Sequence, residues 1–178
     1  MKIYILCLLV FTCVSRADLP IAARPTAVVS PNGRFVYVKI AAGGVAGVTR
    51  ARGVLYELDS SGAFVERWSD NTVFGSYMFI ADDGVSMVVV INPVFGRAPA
   101  ELDVGLAFYR QGQLTKAYST KELLTGRGAA SSTMSFYRWM SDSKNDFPYM
   151  ENSIFYIKTL DGYSYVFNYL SGDKISKK

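Results

Sequence analysis

The chain has 178 residues, two cysteines, no histidine, and nineteen Lys and Arg against fifteen Asp and Glu, for a formal net charge of +4. With no histidine and with both cysteines (Cys7 and Cys13) near the start, a Ser–His–Asp triad, a Cys–His pair, the usual zinc ligand sets and a c-type haem attachment are excluded. So slight a positive excess also argues against a nucleic-acid partner.

Residues 1–17 read as a secretory signal. Lys2 supplies the positive start, residues 3–14 form an apolar stretch too short to span a bilayer, and Ser15-Arg16-Ala17 is a small-x-small cleavage site. A buried N-terminal strand or helix is the competing reading. A lipid anchor at Cys13 is another, poorly served by Phe11-Thr12 before it. Both cysteines fall inside the segment, so residues 18–178, read as a single domain, would hold no thiol and no disulfide. Lys2 and Arg16 leave with it, which lowers the charge of the remainder. No later stretch approaches a spanning helix, and most apolar runs are short for the strands of a membrane barrel. The expected location is outside the cytoplasm, periplasmic or secreted.

Beyond the signal the chain reads as β-strands punctuated by turns. In a first unit, residues 26–29 form a strand, Ser30-Pro31-Asn32-Gly33 a turn with Pro and Gly where turn geometry wants them, and 35–40, 54–58 and 64–68 three more strands. The loop between the second and third strands is glycine-rich, Gly43-Gly44-Val45-Ala46-Gly47, but lacks the Lys-Ser/Thr ending and following helix of a phosphate loop. A second unit repeats the pattern at about fifty residues: a strand at 77–80, the turn Ala81-Asp82-Asp83-Gly84, a nearly all-apolar strand at 85–91, then 105–109 and 114–118. Gly62 and Gly112 mark equivalent hairpins, with Trp68 and Tyr118 at the same distance after each. Ser119 and Glu122 form a capping box ahead of Leu123-Leu124, which predicts one or two helical turns stopped by Gly126. Residues 126–133 read as a connector. A third, looser unit places strands at 134–140, 154–158 and 163–169 and begins a last hairpin at Ser171-Gly172-Asp173-Lys174. The units thus run over 26–69, 77–125 and 134–176.

The Ser30-Pro31-Asn32-Gly33 turn feeding an apolar strand, and the Gly62 hairpin closing at Trp68-Ser69, resemble the repeats of secreted β-propeller proteins of the WD or NHL kind. The resemblance covers most of residues 26–176 and implies that each unit is one four-stranded blade. Three blades are fewer than the roughly four to eight of closed propellers. The expected fold is therefore all-β, with three blade-like antiparallel repeats in an incomplete or open propeller-like arrangement, or a β-sandwich built of the same hairpins.

The remaining catalytic route is through carboxylates, and Glu57 and Asp59, two apart on one strand, are the least implausible pair for a glycan hydrolase of the cell envelope. Exposed strand faces carry such residues anyway. Asp82-Asp83 suits a turn. Asp142-Ser143-Lys144-Asn145-Asp146 lacks calcium-loop spacing. No metal or cofactor is expected. The aromatics crowded after residue 135 are read first as core and second as a stacking platform for sugar or peptide. In a blade-like layout the loops 41–53 and 92–104 and the links 70–75 and 121–133 emerge at one end. They carry Arg50, Arg52, Arg97, Lys121 and Arg127. The turns at the other end are expected to carry Asp82, Asp83, Asp142 and Asp146. The reading is a non-enzymatic binding or scaffold domain whose basic, loop-rich end meets an envelope protein or glycan. Open strand edges also invite self-association.

Overall fold

The computed structural model describes residues 25–40, 50–71, 73, 75–126, 130–133 and 135–178. The signal-like segment, the glycine-rich loop and Arg127 lie outside the described residues.

The described chain is almost entirely β, in four antiparallel sheets, none of which closes on itself. The first sheet is a meander of β1 (Thr26–Val29), β2 (Phe35–Ile40), β3 (Arg52–Leu58) and β4 (Phe64–Asp70). The second joins β5 (Tyr77–Ile80), β6 (Ser86–Val90), β8 (Val104–Arg110) and β9 (Gln113–Ser119), with β7 (Val94–Phe95) set aside in the loop after β6. A four-residue helix, α1 (Thr120–Leu123), follows at once. A three-stranded sheet then combines β10 (Ser131–Ser132), β11 (Phe136–Arg138) and β7. The last sheet is again a meander, of β12 (Tyr149–Glu151), β13 (Ile154–Lys158), β14 (Ser164–Asn168) and β15 (Lys174–Lys177).

Local chemistry sets the turns. Asn32 Oδ1 accepts from Arg34 N at 2.9 Å and from Ser30 Oγ at 2.8 Å, while Gly33, at φ +73°, takes the left-handed position. Asp59 and Asp83 do the same work in their own turns: Asp59 Oδ1 accepts from Ser61 N (2.8 Å) and Ala63 N (2.9 Å), and Asp83 Oδ1 from Val85 N and Ser86 N (both 2.8 Å). The helix forms where its cap predicts. Ser119 Oγ accepts from Glu122 N, and Glu122 Oε2 accepts in return from Ser119 N at 2.7 Å.

The sheets stack face on face through two clusters. Phe35, Tyr37 and Leu55 of the first sheet pack on Met78, Ile80, Met87 and Val89 of the second. Val88, Val90, Leu106 and Phe108 of the second pack on Phe155, Ile157, Tyr165 and Phe167 of the last. This explains the unbroken apolar run of β6. Its Met87 and Val89 face one neighbour, Val88 and Val90 the other, and all four are fully buried. Each such side chain contributes about 1.5–3 kcal/mol.

One expectation about the third unit is corrected. The run 134–140 does not open the last sheet. Its core, β11, pairs instead with β7, Phe136 opposite Phe95 and Tyr137 opposite Val94, and Tyr149–Glu151 supplies the first strand. The reason is a choice between partners. Tyr137 and Trp139 are fully buried against the second sheet, a site the start of the last meander cannot reach. The hairpin begun at Ser171-Gly172 leads into β15, the fourth strand of that sheet.

Register refines the spacing seen in the sequence. Every outer strand carries one bulged residue: Arg67 between the pairs Tyr56–Glu66 and Leu55–Trp68, Thr115 between Tyr109–Leu114 and Phe108–Lys116, and Ile175 between Phe167–Lys174 and Val166–Ser176. Trp68 therefore corresponds to Lys116 and not to Tyr118, because the first hairpin is longer than the second.

Candidate functional site

Antiparallel order puts the described residues of the link between β4 and β5, the segment from Ile91 to Asp103, α1 and the described residues of 124–148 at one end of the three meanders. This is the loop-rich end. Arg50 is exposed just before β3. Arg52 begins β3, and its Nη2 lies 3.4 Å from each carboxylate oxygen of Glu66. Arg97 is exposed in the link after β7. Lys121 on α1 pairs with Glu101 Oε1 at 2.8 Å, and this hydrogen bond holds the Glu101 carboxyl below its ordinary range.

Between the first two sheets the same end contains a cluster the sequence did not disclose. The Tyr37 hydroxyl donates to Asp70 Oδ2 at 2.8 Å, and Val73 N donates to Asp70 Oδ1 at 2.9 Å. Burial, then the bond to Asp70, pushes the Tyr37 hydroxyl well above its ordinary pKa. Lys39, two residues along β2, reaches the Gly75 carbonyl at 3.4 Å. Burial lowers its amine, and the Asp70 charge partly restores it. Only the alternation of β2 hinted at this, since Tyr37 and Lys39 share a strand face. Asp70 comes from the end of β4, which no local rule places beside them.

The expected separation of charge between the ends does not form. Asp82 and Asp83 do sit in the β5–β6 turn, opposite the loops. Asp142 and Asp146 do not join them. Both precede β12 and lie at the loop-rich end, where Arg138 Nη1 binds Asp142 at 2.8 Å and Lys158 Nζ binds Asp146 at 3.0 Å. The misplacement follows from the first strand of the last sheet being Tyr149–Glu151, which reverses the end at which 141–148 emerges. The far end also has cations. Glu57 lies between Arg34, to which it is closely paired, and Arg67 Nε at 3.1 Å.

Glu57 and Asp59 line one cleft, with Arg34, Ser60, Val65 and Arg67. Their carboxylates have other duties. Glu57 is clamped by two guanidinium groups, and Asp59 is held below its ordinary pKa by its bonds to Ser61 and Ala63 in the turn. Of the late aromatics, Tyr137, Trp139, Phe155, Tyr165 and Phe167 are core. Phe147 and Tyr149 stay exposed, and Tyr149 stacks on Tyr156 with centroids 4.6 Å apart and planes 16° from parallel.

Among the described residues no three His, Cys, Asp or Glu side chains are grouped to hold a metal ion, and no helix is long and apolar enough to cross a membrane. No family model matches this chain, and no curated protein or solved structure shows significant similarity to it.

Proposed function

We propose that the protein is an exported, non-enzymatic binding domain made of propeller-like blades, and that its partner, a protein or glycan of the cell envelope, docks on the loop-rich end. The observation that carries this reading is the asymmetry of the meanders. One end is finished by tight, self-capped turns, while the other gathers long links, a helix and an extra three-stranded sheet on a rigid stack. Long loops on rigid strands are where recognition concentrates. Arg50, Arg52 and Arg97 offer exposed cations there, and Lys39 with Tyr37 and Asp70 forms a polar floor between two sheets. An anionic protein surface or acidic glycan fits this chemistry.

The test is crosslinking capture from the native envelope, run in parallel with the wild-type chain and with Arg50→Glu, Arg52→Glu and Arg97→Glu combined. The reading expects a partner enriched by the first and lost or strongly reduced with the second. Equal capture of every partner by both would overturn it.

A further inference from the structure

Among the described residues the stack ends in two sheet faces on which no further sheet packs, and the register identifies one of them. In the first sheet, Val29 is paired with Val36, Ala27 with Val38, and Val36 with Tyr56. In the second, Ile80 is paired with Met87, Met78 with Val89, and Met87 with Tyr109. The two sets occupy the same positions on successive meanders. In the second sheet that face is buried against the first. In the first sheet it points away from the second, leaving Val29 54% and Leu58 37% exposed. On the far face of the last sheet, Tyr149 is paired with Tyr156 and Tyr156 with Val166, beside the polar pair Lys158–Ser164, and Tyr149 is 51% exposed.

We propose that two copies of this chain close on each other, the first sheet of each packing on the last sheet of its partner. This rests on the blade reading above. Two observations select a second copy as occupant. The face on the first sheet repeats, position for position, one that already packs on the preceding meander inside the chain. The described residues of each copy supply three meanders, so a two-fold pair supplies twice that number, within the roughly four to eight blades that close a ring.

The internal junctions also show where the two copies would touch. Lys116 Nζ lies 2.5 Å from Asp173, the residue after the hairpin glycine Gly172. By register Ser176 stands where Lys116 stands, and Val65, just before Glu66, stands where Asp173 stands just before Lys174. Position 176 of one copy thus faces position 65 of the other.

The full chain, expressed in an exporting host in a Cys7→Ser, Cys13→Ser background, is followed by analytical ultracentrifugation and by a short bis-maleimide linker. A dimer is expected. A mixture of Val65→Cys and Ser176→Cys copies crosslinks, while neither variant crosslinks alone. Val29→Glu, at an exposed site, weakens the dimer about tenfold or more with unchanged circular dichroism. A monomer at high micromolar concentration, a crosslink within either single variant, or open-ended polymers would overturn the closure. None of those results touches partner binding at the loop-rich end, which the Arg50, Arg52 and Arg97 reversal measures separately.

Discussion

Replacing Trp139 is the sharpest probe of how the small sheet is fastened to the stack. The indole is fully buried, its Nε1 donates to the Ile91 carbonyl at 2.6 Å, and its backbone N donates to Asn92 Oδ1 at 3.0 Å. Trp139→Phe keeps most of the apolar contact but leaves the Ile91 carbonyl without that donor, for an expected loss of about 1–3 kcal/mol. Trp139→Ala adds a cavity where the ring stood, raising the loss to about 4–8 kcal/mol when the two contributions of about 3–5 and 1–3 are combined. Against a typical stability of about 5–15 kcal/mol, the first variant folds and the second is marginal. Urea unfolding followed by circular dichroism measures both. The chain has two tryptophans, so in Trp139→Phe the remaining fluorescence belongs to Trp68, which packs in the other cluster. One cooperative stack requires the two signals to unfold together. A Trp139→Phe loss below about 0.5 kcal/mol would refute the placement of the indole hydrogen bond, and separated transitions would refute the single stack.

Two further outcomes follow from the same contacts. Gly172 and Gly62 both have positive φ, +77° and +83°, but a Cβ on Gly172 would lie 2.7 Å from Lys116 Cβ, whereas one on Gly62 meets nothing within 4 Å. Gly172→Ala should therefore cost clearly more in thermal unfolding than Gly62→Ala, for which only the left-handed penalty of about 1–2 kcal/mol applies; equal losses would show that the sheets do not nest there. The Tyr137 hydroxyl lies between Thr120 Oγ1 (2.6 Å) and Asp103 Oδ2 (2.9 Å), and burial first, with the bond to Asp103 assisting against the opposing bond from Thr120, raises its pKa from 10.0 to about 12. A raised native value stabilises the fold below the unfolded pKa and loses that contribution as pH climbs from 10 toward 12. Tyr137→Phe should flatten that alkaline decline in urea midpoints measured across the window, and an unchanged slope would rule the group out.

What could be read before folding was whatever a few consecutive residues decide. The Asn32 and Asp83 turns, the Ser119–Glu122 cap and the nearly all-apolar β6 each follow from side chains bonding or packing within a short stretch, and each appears where expected, whereas Asp59, read on a strand beside Glu57, lies in the turn after β3. Choices among distant partners were not available in that way. An apolar run such as 134–140 signals a strand but not which edge it will join, and β11 went to β7 because Tyr137 and Trp139 find full burial there. That choice shifted the first strand of the last sheet and with it the end at which Asp142 and Asp146 emerge. The pairing of Glu57 with Arg34 and Arg67, and of Tyr37 with Asp70, likewise joins residues from separate strands. Turn and cap energies are local and legible in order along the chain, whereas strand partnership is settled by which faces can be hidden together, a property that exists only once the sheets have met.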